Sequence, residues 1–283
     1  MSTPTQVSVA ALESSPARPR VRDAGPARRA GLAVARLGLL VALVLAWQVA
    51  VSTHLADPAF VSAPRDVFEA LWTLLRSAEL WSNLRVTLVE VLVAFVLSTA
   101  LGLLAAIYLD RSARVNALVG PFLTALNSMP RIALGPLFIL WFGIGMTSKV
   151  VLATSLGFFI ILVSTMGGLR NVDRDLLLMS RLYGASGSRL FWHVRLPWAL
   201  PSLFAGLRLT LVYCTSGAVI GEMIAAQAGL GLLLQTYSGQ FAIASVMAVL
   251  VVLVALVSLL TSLLGLVEHR LLGWSAGSTD VPG

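Results

Sequence analysis

Charge is scarce in this sequence. Only 12% of its 283 residues are Asp, Glu, Lys or Arg, 58% are hydrophobic, and the mean hydropathy is +0.89. Soluble domains sit near a quarter charged, so a water-soluble globule is excluded. Lysine is rarer still: the twenty basic residues are nineteen arginines and Lys149. A Walker-type phosphate loop needs Gly-x-x-x-x-Gly-Lys-Ser/Thr, and Lys149, between Ser148 and Val150, does not supply it. The single cysteine, Cys214, rules out an intrachain disulfide and reads as a small membrane residue within an apolar run. His54, His193 and His269 are scattered, and neither a His-Glu-x-x-His nor a Gly-x-Ser-x-Gly motif occurs. No catalytic or metal-binding set is visible, so an enzyme is not expected.

Long apolar runs are abundant. About twenty apolar residues cross a bilayer, and Leu32–Val51, Leu84–Leu109, Val150–Leu169, Leu203–Ile224 and Ala242–Val267 each meet that length. A further run, Val115–Gly143, is interrupted by Pro121, Pro130 and Pro136 and is expected to be a broken span. The fold class is therefore an all-α integral membrane protein with six transmembrane helices. Leu32–Val51 is expected to be a retained anchor: a leader would be too long, and no small-residue cleavage site closes the run. Residues 1–30, rich in Ala, Pro, Ser and Arg, read as a disordered tail; 31–272 form one domain, and 273–283 a second tail. Between the first two runs, Val67, Leu71, Leu74 and Leu75 recur at helical spacing, an amphipathic helix lying on the membrane or on the bundle.

A net charge of +7 would suit nucleic acid in a soluble protein. Here the positive-inside rule is the simpler account. With both termini inside, the inner segments hold fourteen basic residues and the outer ones four, Lys149 among them; Arg131 and Arg208 fall within spans. The expected location is the cytoplasmic membrane, multi-pass, with both termini cytoplasmic.

One charged stretch then stands out on the inner side, "RLYGASGSRLFWHVRLPWALP", Arg181 to Pro201. Gly184 can end a first short helix at φ > 0, and Ser186 or Ser188 can cap a second. Leu190, Phe191 and Val194 share one face of that second helix; Arg189 and His193 share another. Pro197 and Pro201 are expected to stop it and aim the chain at the membrane. Such a helix would either dock into a groove of a soluble partner or rest on lipid headgroups.

This stretch resembles the EAA loop of ABC-importer permeases. Gly184, Ala185, Ser186, Phe191, Val194, Leu196, Pro197 and Pro201 fall on its pattern, in a segment that also holds Arg181 and Tyr183. "MPRIALGPLFILWFGIG" (129–145), "GLRNVDRDLLLMSRLYGAS" (168–186) and "GEMIAAQAGLGLLL" (221–234) are similar to the nitrate/sulfonate/taurine branch. The pattern's Glu-Ala-Ala is replaced by Leu178-Met179-Ser180; Asp173 or Asp175, a turn earlier, could stand in for the glutamate.

The resemblance implies a type I ABC importer permease fold. Two copies of the chain would pack about a two-fold axis and line one path. Two separate ATPase subunits would grip the 181–197 loops and use the ATP, so this chain needs no cofactor of its own. A periplasmic or lipid-anchored binding protein would deliver a small anion of the nitrate, sulfonate or taurine type. A pyrimidine vitamin precursor is the alternative cargo. An ion-gradient-driven transporter is the alternative class, but it calls for mid-membrane carboxylates, and only Glu90 and Glu222 lie in spans.

A charge in mid-membrane costs at least about 2.5–3.5 kcal/mol, so Arg131 asks for a reason. Either Arg131, with Asn127 and Ser128, faces the path and greets an anion, with Glu222 also on the path, or Arg131 snorkels or pairs with Glu222. Gly217 and Gly221 form a small-x-x-x-small pair expected to pack within one subunit. Gly229-Leu230-Gly231 suits a turn near the outer face.

Overall fold

The computed structural model describes residues 26–53 and 61–271, and among these every regular element is helical. The expected tails over 1–25 and 273–283 lie outside the described residues, and the first helix, α1 (Pro26–Ser52), begins inside the stretch expected to be tail. Residues through Ala50 form one unit and those from Val51 another, and each is described by itself.

Helix α2 (Pro64–Leu75) starts with proline in its first turn, where the missing N–H costs nothing. Of its expected apolar stripe, Val67 and Leu74 are buried, Leu71 packs on the same cluster, and Leu75 faces outward. The helix lies on the bundle, against the last helix. Ser77 caps α3 (Ala78–Arg111) by accepting the Leu80 N–H. Ser112 caps α4 (Ala113–Ser128) in the same way through the Val115 N–H.

The expected broken span is present, and one proline makes the break. Met129, directly before Pro130, is extended (φ −76°, ψ 134°), as crowding by the proline ring demands. A 3₁₀ turn (Arg131–Leu134) and α5 (Gly135–Phe142) follow, bent 84° from α4. Pro136 sits harmlessly in the first turn of α5, and α4 runs through Pro121.

Helix α6 (Met146–Arg170) is the hub, packed along α3 and along α9 (Leu196–Ile224). Close approach depends on small residues. A Cβ on Gly217 would stand 2.8 Å from the Ala153 Cα, so the Gly217–Gly221 pair serves helix packing within this chain. Cys214 is a core residue beside Ser98 and Ala153. After α9 come α10 (Leu230–Gly239) and α11 (Ile243–Leu271), whose apolar faces close a cluster with α2 around Leu80, Leu230 and Val249.

Four helices among the described residues are long and apolar enough to cross a membrane: α3, α6, the helix ending in α9, and α11. The bent α4–α5 pair makes a fifth span if counted as one. The sixth expected span coincides with α1, in which Val41–Ser52 is a shorter apolar helix.

Candidate functional site

Helix α7 (Arg174–Leu182) opens the stretch between α6 and α9. Asp173 caps it, its carboxylate accepting the Asp175 N–H at 2.8 Å. One of the two acids expected to replace the missing glutamate is thus occupied, while Asp175 stays exposed. Gly184 ends the turn at φ +83°, as expected, and Gly187 (φ +49°) opens α8 (Gly187–Leu190). Ser186 stands at the N-cap of α8, but its side chain caps nothing; its carbonyl takes the Arg189 N–H.

Pro197 and Pro201 do not stop the helix. A π turn over Phe191–Arg195 joins α8 to α9, and the helix continues from Gly187 to Ile224. In that wider turn the Leu196 N–H reaches back to the Phe191 carbonyl, and Pro197 falls in the first turn of α9, where its missing donor is tolerated.

The π turn is held from both ends by α3. Arg195 donates to both oxygens of Asp110, each at 2.8 Å, and to the Leu169 carbonyl at 3.1 Å. The Arg111 guanidinium lies 5.2 Å from the centre of the Phe191 ring. Phe191 is 4% exposed and packs with Leu169 and Ala199. Its apolar surface is therefore used inside the chain, with half-buried Leu196 packed on the same cluster; Val194 and Ala185 are half-buried too. The exposed apolar face lies earlier: Leu178, Met179, Leu182 and Tyr183 all point outward on α7, with Tyr183 92% exposed beside exposed Arg181.

The two intramembrane charges expected to share a path are separated. Glu222 is fully buried and accepts hydrogen bonds from the Thr87 hydroxyl (2.7 Å) and the Gly231 N–H (2.6 Å). Thr87 in turn accepts the Leu230 N–H, and the Asn83 side-chain oxygen accepts the Gly229 N–H. Three side chains from α3 and α9 thereby satisfy the first amides of α10, which a helix cannot satisfy internally. Pairing of Glu222 with Arg131 is thus corrected: one oxygen accepts the Thr87 hydroxyl of α3 and the other the Gly231 N–H of α10. Beside this network Lys149 meets Glu90 at 3.0 Å, both almost wholly buried. Lys149, counted with the outer segments, stands in the first turn of α6 and is buried in the bundle as the partner of Glu90. The signal was present, since a carboxylate in an apolar run requires a cation nearby.

Arg131 sits at the break after α4. Its Nη2 donates to the Asn127 side-chain oxygen (2.6 Å) and carbonyl (3.2 Å), and its guanidinium lies 4.0 Å from the centre of the Phe159 ring. Its Nε is buried and has no hydrogen-bond partner among the described residues. Ser128 turns back to the Thr124 carbonyl. A cavity of about 390 Å³ adjoins, lined by Asn127, Arg131, Ile160 and Tyr213 among others.

Residues 98–273 match the family model of the binding-protein-dependent transport system inner membrane component. The chain belongs to that family. The permease is 36% identical over 244 residues to the riboflavin transport system permease protein RibX of Chloroflexus aurantiacus, covering 85% of this chain and 91% of the relative. It is 36% identical to the putative aliphatic sulfonates transport permease protein SsuC of Escherichia coli (74% and 80% covered). It is 31% identical to that organism's taurine transport system permease protein TauC (75% and 78%). Among solved structures, a chain of the MetNI methionine ABC transporter in an inward-facing conformation matches with a TM-score of 0.55 and 26% identity, covering 71% of the permease and 96% of that chain.

The fold is that of a type I ABC importer permease, as the EAA-like stretch implied. The permease is a multi-pass inner-membrane transport protein, and its family implies an ATPase and a substrate-binding protein as partners.

Proposed function

We propose that the permease lines the path of an ATP-driven importer for a small anion of the sulfonate, taurine or nitrate type, with the ATPase docking on α7. The single observation that carries the docking is the exposed apolar face of Leu178, Met179, Leu182 and Tyr183. Leu178 and Met179 stand where the resemblance puts the family's Glu-Ala-Ala, and hydrophobic anchors without the usual glutamate suit a groove gripped by contact rather than by charge. The π turn, fastened to α3, makes the segment a rigid lever, so closure of two ATPases beneath two copies of the chain would tilt the spans in a hinge-type transition.

Two of the relatives' names, SsuC and TauC, support an anionic cargo, and Arg131 supplies the cation to meet it. RibX and the formylaminopyrimidine transport permease protein ThiX of Halalkalibacterium halodurans favour a second cargo, a vitamin or its pyrimidine precursor. In this reading ATP chemistry belongs to the partner, both termini lie in the cytoplasm, and the binding protein approaches the opposite face.

The test is reconstitution of the permease with its ATPase and binding protein in liposomes. ATP hydrolysis should rise when loaded binding protein is added outside, and should need both partners. Hydrolysis indifferent to the binding protein would overturn the importer reading.

A further inference from the structure

Three cavities, of about 450, 240 and 390 Å³, meet at Asn127. Together they follow one face of each of two helices. On α4 the lining side is Asn116, Gly120, Thr124 and Asn127; on α6 it is Phe159, Val163, Gly167 and Arg170. Both series step by three or four residues, so each is a single stripe. From Phe159 to Arg170 the groove runs about 16 Å at ~1.5 Å per residue.

Its ends are cationic. Arg131 stands over Phe159 at one end, and Arg170, exposed and without an ion-pair partner among the described residues, closes the other next to α7. Asn116, Thr124 and Asn127 provide polar steps between them. None of the described residues lining the three cavities is acidic. Gly167 leaves the groove open, since a Cβ there would touch nothing within 4 Å. The described residues also leave Arg131 under-satisfied: one hydrogen-bonded nitrogen, a ring face, and a buried Nε with no partner among them.

We propose that this α4–α6 groove is an anion track, taking a small sulfonate or carboxylate at Arg131 and releasing it past Arg170. It rests on the import reading for the direction of travel, and on the groove's own charge for its selectivity. Positive walls of low dielectric concentrate anions and deplete cations.

Thiol labelling of Thr124→Cys tests this in the full chain, in nanodiscs of neutral lipid. Cys214 is buried, so the otherwise unaltered chain is the blank. The probes are two methanethiosulfonates of similar size, one bearing a sulfonate and one a trimethylammonium group. In each case the cysteine thiolate forms a disulfide and expels methanesulfinate. With rates normalised to 2-mercaptoethanol, the sulfonate reagent should react at least ~10-fold faster. The preference should collapse towards unity when Arg131→Gln and Arg170→Gln are combined. A ratio near or below one, a preference that survives loss of both arginines, or no labelling by either reagent would each overturn the track. No ATPase or binding protein is needed, so charge-blind labelling counts against the groove alone, and a failed reconstitution against the import reading alone.

Discussion

Arg195 and Asp110 face each other through two parallel hydrogen bonds of 2.8 Å, joining the π turn before α9 to the last turn of α3. The pair is largely enclosed, with side chains 26% and 8% exposed. Such a fork is directional as well as strong, and it fixes the angle at which the α7–α8 segment leaves the bundle. Removing one partner of an enclosed pair leaves the other charge stranded, at a cost of about 3 kcal/mol. Asp110→Ala should therefore lower thermal stability in detergent by that amount. Asp110→Ala with Arg195→Ala should cost less than the two single changes added together. Arg195→Lys, which keeps the charge but loses the fork, should not restore wild-type stability. Simple additivity in the cycle would mean that the pair contributes nothing at this joint.

Glu222 offers a second test, through the α10 turn rather than the cytoplasmic joint. Glu222→Ala strands the Gly231 N–H in the core, at about 1–3 kcal/mol, and leaves the Thr87 hydroxyl only its long bond of 3.3 Å to the Asn83 carbonyl. Glu222→Gln keeps an acceptor and should fall between the two. Gly229→Ala should be at least as damaging, because the added methyl would overlap the Glu222 carboxylate at a backbone φ of +123° that disfavours side chains. The measurement is thermal unfolding of the purified chain. A stable Gly229→Ala protein would mean that the network does not fasten the turn.

The spans were legible because apolar runs are the strongest signal a sequence carries, and a break was legible from three prolines; that Pro130 makes it, while Pro121 and Pro136 sit inside helices, was not. The Gly184 turn was legible for a local reason too. The site residues were harder. Phe191 looked like an outward anchor, since spacing gives a face but not the identity of what covers it; Arg111 and Leu169, distant in sequence, decided that. Lys149 with Glu90, and Glu222 with Thr87, are pairings across 59 and 135 positions: a carboxylate in an apolar run signals that it needs a partner, but no local pattern says which residue that is. The π turn that carries the chain past Pro197 is likewise a tertiary outcome, fixed at Arg195 by Asp110.

Orientation is tested by accessibility. Ser188 is exposed on the segment carrying α8, and Ser62 lies in the link before α2. With fourteen basic residues expected inside, a cysteine at Ser188 should react with an impermeant thiol reagent only after cells are opened. A cysteine at Ser62 should react in intact spheroplasts. The opposite pattern would invert the topology.

The last prediction separates docking from folding within the 181–201 stretch. Tyr183 and Leu182 are 92% and 79% exposed and touch little of the chain, so truncating them should leave stability near wild type. If they are anchors for the ATPase, Leu182→Ala with Tyr183→Ala should weaken co-purification by at least about 2 kcal/mol, roughly thirtyfold in affinity. Phe191→Ala should do the reverse. It empties a site enclosed by Leu169, Ala199 and the Arg111 guanidinium, and large aromatic deletions of that kind cost about 3–5 kcal/mol of stability. Gly184→Val belongs with Phe191 in mechanism but not in cause: nothing crowds the new side chain, yet φ +83° strains a β-branched residue. Both should unfold at lower temperature, and whatever fraction remains folded should still bind the ATPase. The paired readout is melting temperature and ATPase pull-down from the same preparation. Loss of binding at unchanged stability in Phe191→Ala, with Leu182→Ala and Tyr183→Ala silent, would move the docking face off α7 and back to the helix after Gly187.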